Sequence, residues 1–231
     1  MKTIGLIGGT SWYSTVDYYR VINETVNKQL GSNASAKILL YSVNFEEIVT
    51  LTKQDNWAGI ENILSTAAKK LEIAGADCML LCANTMHIVA SQVQAAIGVP
   101  LLHVAEVVAG ALNRQQIKTV LLLGTRYTMQ GNFYTYCFQE HGIKIVIPNK
   151  AERELINDSI YNELGKGILL EQTKKMYLDV IEKNIIEEGI EGVILGCTEI
   201  PLLIKQADCT IPVFDSTLLH ATAAADFALS L

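Results

Sequence analysis

Two cysteines stand where a thiol can do chemistry. Cys82 lies in Leu81-Cys82-Ala83-Asn84-Thr85 and Cys197 in Gly196-Cys197-Thr198-Glu199, each directly after a short apolar run. A buried strand that runs into a turn and then a helix offers backbone N–H groups at the helix start. Such groups attract anions and favour a thiolate. A thiol titrates near 8.5 in the open, so one of a pair can be thiolate and the other thiol near neutrality. Two such groups on opposite sides of a carbon suit stereoinversion, in which one takes a proton from one face and the other returns it to the opposite face. Cys78 sits inside an apolar strand, Cys137 on a helix face and Cys209 in a loop. These three read as structural, since free cysteine behaves as a small hydrophobe. An odd number of cysteines without a C-x-x-C pair argues against a disulfide framework or a structural zinc site.

The elements that must hold these thiols repeat along the chain. Strands are expected at Thr3 to Ile7, Lys37 to Val43, Cys78 to Leu81, Thr119 to Leu123, Lys144 to Ile147 and Val193 to Leu195. Helices are expected at Ser14 to Leu30, Trp57 to Ala74, Tyr127 to Glu140, Glu152 to Leu164 and Leu170 to Glu188. Alternating β and α elements with apolar strands predict parallel sheets covered on both faces. Lys2 to Thr10 has a counterpart at Lys118 to Thr125, each a strand ending in a Gly/Thr turn. Ala74 to Thr85 has a counterpart at Glu188 to Glu199. Val99-Pro100-Leu101-Leu102-His103 has a looser one at Ile211-Pro212-Val213-Phe214-Asp215. Three matches in one order indicate a duplicated unit. The expected architecture is two similar α/β lobes, each a mostly parallel sheet flanked by helices, related by pseudo-twofold symmetry. The expected boundaries are 1–98 plus 212–231 for the first lobe and 99–211 for the second, with the site in the cleft between them.

Composition narrows the partners. The 231 residues are 50% hydrophobic and 18% charged, with a formal net charge of −6. That balance fits a folded protein and offers no basic surface for nucleic acid. No apolar run is long enough to span a membrane. No basic-then-apolar leader follows Met1, so the cytoplasm is the expected compartment.

The quoted segments also carry a resemblance. Ile4-Gly5-Leu6-Ile7-Gly8-Gly9-Thr10-Ser11-Trp12-Tyr13-Ser14-Thr15, Cys82-Ala83-Asn84-Thr85-Met86-His87 and Gly196-Cys197-Thr198-Glu199-Ile200 resemble the aspartate/glutamate racemase family. The likeness runs over essentially the whole chain, through the Tyr18-Tyr19 helix, Leu123 to Met129 and Val213-Phe214-Asp215. It implies two α/β lobes with a site between them, no pyridoxal phosphate, no metal and a homodimer. It implies that Cys82 and Cys197 remove and return the α-proton of an amino acid. Some members carry threonine for the first cysteine and favour one enantiomer; this chain keeps both cysteines, which implies a reversible racemase. The family's first turn often has Met where this chain has Thr10, a position expected to lie close to the substrate and to contact it.

A small amino-acid substrate needs donors at its α-carboxylate. Asn84, Thr85, Thr198 and Glu199 are assigned to the carboxylate and ammonium by position, although Asn and Thr also cap helices well. Lys166, in Glu163-Leu164-Gly165-Lys166-Gly167, resembles the family's lysine for a distal carboxylate. Thr52, in an expected loop with Lys53, is a further contact. Arg126 reads as structural, and His87 and His220 as core residues. The alternatives are malonate decarboxylation, maleate isomerisation or hydantoin racemisation by the same superfamily. A phosphate- or nucleotide-binding module at Gly8-Gly9-Thr10-Ser11 is another, although it lacks G-x-G-x-x-G and G-x-x-x-x-G-K-[ST].

Overall fold

The computed structural model describes residues 1–230, which form two compact units: 1–104 with 220–230, and Ala105–Leu219. The first unit runs β1 (Thr3–Gly8), α1 (Trp12–Leu30), β2 (Lys37–Ser42), α2 (Phe45–Lys53), α3 (Trp57–Ile73), β3 (Cys78–Leu81), a 3-10 turn (Asn84–Val89) and α4 (Ala90–Ala95). Helix α5 (Val104–Arg114) leads into the second unit. There follow β4 (Thr119–Leu123), α6 (Arg126–Gln130), α7 (Asn132–Glu140), β5 (Lys144–Val146), α8 (Lys150–Asn162), a 3-10 turn (Leu164–Lys166), α9 (Glu171–Glu188), β6 (Gly192–Leu195), α10 (Ile200–Leu203) and β7 (Val213–Asp215). Helix α11 (Ser216–Leu229) returns the chain to the first unit.

Each unit is a parallel sheet of the same topology. The first has the order β2-β1-β3, extended by a parallel bridge between Met79 and Leu101. The second has the order β5-β4-β6-β7. The repeat holds to individual hydrogen bonds. Asp77 N–H donates to Thr3 O (2.8 Å), and its carboxylate accepts from Thr3 N–H (2.6 Å). Glu191 N–H donates to Thr119 O (2.8 Å), and its carboxylate accepts from Lys118 and Thr119 N–H. Those two backbone donors hold the Glu191 carboxyl below its ordinary range. Met79 N–H reaches Pro100 O, as Val193 N–H reaches Pro212 O. Each proline therefore opens a segment that stays at the edge of its own sheet. The crossings lie later than 98/99 and 211/212, at 104/105 and 219/220 inside α5 and α11.

Alternate strand residues feed opposite layers, as the period of two requires. In the first unit Ile4, Leu6, Cys78, Leu80 and Cys82 pack with Tyr18, Ile22 and Ala221. Ile7, Met79 and Leu81 pack on the other face with Leu64, Ala67 and Val93. In the second unit Leu121, Leu123, Val193 and Leu195 face Ile156, Tyr177 and Ile181.

Several boundaries differ from expectation for local reasons. The helix expected over Tyr127 to Glu140 breaks at Gly131, whose extended backbone caps α6 and opens α7. Helix α8 begins two residues before Glu152. The Asn149 side chain accepts from Glu152 N–H, and the Glu152 carboxylate accepts from Asn149 N–H, which is a complete capping box. Thr52 and Lys53 close α2 rather than lying in a loop, and the Thr52 hydroxyl donates to Ile48 O at 2.7 Å. Among the described residues no helix is long and apolar enough to cross a membrane.

Candidate active site

The two units place their reactive turns at the carboxyl ends of parallel strands, where ligands of open α/β sheets bind. The second unit carries the clearer chemistry. Cys197 is two residues past β6, half-buried, and its thiol donates to Glu199 Oε2 at 2.9 Å. The Thr198 hydroxyl donates to the same oxygen at 2.7 Å. Burial pushes the thiol well above its ordinary value, and the Glu199 carboxylate adds to this. The N–H groups of Glu199 and Thr198 pull the other way, because they bond the sulfur and favour thiolate. The group is thus held protonated beside its own proton acceptor, with donors already arranged for the anion.

Tyrosines that the motifs did not mark surround this turn. Burial raises Tyr161 to about 12, with the nearby Cys197, Tyr127 and Glu199 adding to the effect. Tyr177 is buried, its hydroxyl 3.0 Å from Ser159 Oγ. Tyr161 is 48% exposed on α8 and Tyr177 is buried on α9, and neither falls in a motif, so the sequence held no signal for a place beside the thiol. Lys166 ends the exposed 3-10 turn that packs against α10. Arg126 caps its own region, with its N–H on Asn157 and its guanidinium against Tyr127.

In the first unit Gly9 takes φ +84°, and an added Cβ would overlap the Val43 backbone, so the turn after β1 requires glycine there. Gly9 N–H donates to Thr15 Oγ1 at 2.9 Å. Thr10 is buried, and its hydroxyl has no hydrogen-bond partner; among the described residues Thr217 shares this condition. An unpaired buried hydroxyl costs roughly 1–3 kcal/mol and calls for a reason. Thr217 lies just past β7 and was not singled out by sequence. Asn84 is buried and Thr85 half-buried at the start of the 3-10 turn.

A buried imidazole fixes that turn. His87 Nδ1 lies 3.2 Å from both Ala83 O and Asn84 O, while its Nε2 accepts from Val104 N–H at 3.3 Å. Only a neutral ring protonated at Nδ1 satisfies all three. Burial lowers its pKa well below 6.5, and His103 and His220 lower it further. His87 and His220 are core residues, as their sequence context indicates.

Cys82 does not stand where Cys197 stands. Ile7 pairs with Leu81 as Leu123 pairs with Leu195. Beyond those pairs, Cys82 N–H donates to Ile7 O and Gly196 N–H to Leu123 O. The equivalent of Cys82 is therefore Gly196, and the equivalent of Cys197 is Ala83. Packing agrees. Ala83 lies against the layer of Ile7, Met79 and Leu81, and Cys197 against that of Leu123, Val193 and Leu195. Cys82 is fully buried in the opposite layer with Leu6, Leu80, Tyr18 and Ala221, and burial alone drives its thiol far up. An added Cβ at Gly196 would approach Leu122, the counterpart of Leu6, at 3.1 Å. A shift of one residue along a strand turns the side chain to the other face. The expected match of Cys82 with Cys197 is one residue out.

Glu106, Cys137 and His141 bring one donor atom each within 4.8 Å, on α5 and at the end of α7. His141 Nε2 is 3.4 Å from the Glu106 carboxylate, and burial together with that carboxylate keeps the Cys137 thiol protonated.

Comparison with known proteins joins these features. A curated relative, the broad specificity amino-acid racemase RacX of Bacillus subtilis (strain 168), is 25% identical over 150 residues, 65% of this chain. The match spans 64% of that relative's length. A solved Yersinia pestis chain described as a candidate Asp/Glu racemase is 48% identical with a TM-score of 0.94, both chains being covered in full. An aspartate racemase homologue from Pyrococcus horikoshii OT3 is 40% identical with a TM-score of 0.89, again over all of both chains. The model of the Asp/Glu/Hydantoin racemase family matches residues 7–224, and the chain belongs to that family.

Proposed function

We propose that this protein interconverts the L and D forms of an acidic amino acid without a cofactor, and that Cys197 is the group that handles the α-proton. The observation that carries this reading is the contact of the Cys197 thiol with Glu199, 2.9 Å, under the N–H groups of Thr198 and Glu199. In the proposed step Glu199 receives the thiol proton, and the thiolate takes the proton from Cα. The electron pair left on carbon delocalises into the substrate carboxylate. Return of the proton from Cys197 to the same face restores the starting enantiomer, and inversion requires a proton delivered to the opposite face of the planar carbanion. A substrate ammonium near Glu199 offsets the negative charge that holds the thiol protonated, so thiolate forms with substrate in place.

Thr10 and Thr217, whose buried hydroxyls lack partners, are proposed donors or acceptors for the substrate together with Asn84, Thr85 and Thr198. Lys166, exposed on the turn beside α10, is proposed to take the distal carboxylate, with Thr52 as a further contact. Aspartate and glutamate are thus the first substrates to test.

A second reading, decarboxylation of a malonate, is favoured by Ala83 at the place equivalent to Cys197. Protonation of a carbanion on one face needs a single thiol. The deciding experiment is NMR of L- and D-aspartate and L- and D-glutamate in D2O with reductant and no added cofactor. Loss of the α-proton signal that disappears in Cys197→Ala supports the first reading. Absence of exchange from all four, with CO2 released from a malonate, replaces it with the second.

A further inference from the structure

We infer that Cys197 is the sole acid/base thiol of this protein and that its counterpart position, 83, carries only a methyl group. This rests on the proposed α-proton chemistry for its kinetic consequence, but its structural part stands on the duplicated register alone.

The ladder assigns Cys82 to Gly196 and Ala83 to Cys197, through matched bonds to Ile7 O and Leu123 O. The core layers assign Ala83 and Cys197 to the same face of their sheets and Cys82 to the other. His87 then fixes the carbonyls of Ala83 and Asn84 on a single neutral tautomer, so the turn is not free to slide by one residue and present Cys82 instead. Neither the Asn84 amide nor the Thr85 hydroxyl that follows titrates near neutrality. The Cys82 thiol is fully buried in the layer of Tyr18, Leu80 and Ala221.

The consequence is one-sided chemistry. The enantiomer whose α-proton faces Cys197 loses it to the thiolate. The sulfur exchanges that proton with solvent through Glu199 and returns deuterium to the same face. Inversion needs a proton delivered to the other face, and there water must serve instead of a thiol. Exchange with retention therefore outruns inversion for one enantiomer. A positioned acid or base contributes about 10²–10⁴-fold, and this sets the scale of the gap.

Two measurements on the full chain test this. Native protein is treated with iodoacetamide at pH 9, digested and mapped. Cys197 is expected to be modified and Cys82 to remain unmodified until the chain is denatured. Modification of Cys82 as fast as Cys197 overturns the assignment, whatever the substrate. In parallel, α-proton exchange and inversion are followed in D2O for wild type, Cys82→Ala, Cys82→Val and Ala83→Cys. Exchange is expected to exceed inversion at least tenfold for one enantiomer. Either Cys82 variant that folds is expected to retain both rates, and Ala83→Cys to raise inversion at least tenfold while exchange stays within a few-fold. Loss of inversion in both folded Cys82 variants, or equal exchange and inversion in the wild type, overturns the inference. If no acidic amino acid exchanges, the functional reading fails, while the alkylation map still decides which thiol is presented.

Discussion

Acid should destabilise the first unit through His220. His220 is fully buried. Its Nε2–H donates to Leu102 O at 2.7 Å, and its Nδ1 accepts from the Tyr18 hydroxyl at 2.8 Å. Leu102 O can only accept, which fixes the tautomer and leaves Nδ1 bare. Burial lowers the pKa from 6.5 to about 4; the Leu102 carbonyl opposes this, and the neighbouring His103 adds to it. The folded state thus binds this proton more weakly than the unfolded state. The stability linked to the group is complete above pH 6.5 and is lost as the pH falls through 4. At about 1.4 kcal/mol per pH unit the full loss is about 3 kcal/mol, and about 2 kcal/mol of it has gone by pH 5. His87, also depressed and also buried, adds in the same direction. The control is His220→Gln, whose amide can donate to Leu102 O and accept from Tyr18 without titrating. Urea unfolding at pH 7 and pH 5, followed by exchange-protected amides of α1 and α11, gives the stability of each protein. The wild type should lose about 2 kcal/mol more than His220→Gln between these pH values. Equal losses in the two proteins would refute the reasoning, because burial of a neutral ring would then carry no linkage.

Other perturbations separate the roles proposed around Cys197. Glu199→Gln removes the carboxylate that raises the thiol, so alkylation of Cys197 should move to lower pH, while α-proton exchange falls at least tenfold for lack of a proton acceptor. Lys166→Ala should raise KM for aspartate or glutamate about tenfold or more with little change in kcat, and leave neutral amino acids unaffected, as steady-state kinetics would show. Gly9→Ala should cost at least about 2 kcal/mol, read as a shift in the urea midpoint, since φ +84° disfavours a side chain and the new Cβ would overlap the Val43 backbone.

The fold was legible because its strands are short apolar runs and its helices carry turn chemistry. The duplicated order of motifs at Lys2 and Lys118, and at Ala74 and Glu188, became two parallel sheets of equal topology. The crossing points were less legible. Pro100 and Pro212 look like exits from a lobe, yet each supplies a carbonyl to its neighbouring strand and keeps its segment in the sheet. Tyr177 and Thr217 were hidden because helical spacing marks a buried face without saying whether a reactive turn lies beneath it, and Tyr161 because an exposed helix position carries no mark at all.

The cysteines show where motif reading stops. Two thiols at the ends of two repeated strands invite a match by residue type, and the eye aligns Cys with Cys. Strand geometry aligns by register, and register has a period of two, so a slip of one residue carries a side chain from the ligand end of one layer into the core of the other. The chain itself holds the clue in Leu81-Cys82-Ala83-Asn84 against Leu195-Gly196-Cys197-Thr198. Counted from the last paired leucine, Cys82 is first and Cys197 second. Gly196 has no room for a side chain beside Leu123 O, 2.9 Å from an added Cβ, so the second unit cannot hold a thiol where the first does. A duplicated fold thus guarantees equivalent backbone positions but not equivalent chemistry. Here it leaves one unit with a thiol beside a carboxylate and the other with a methyl group in its place.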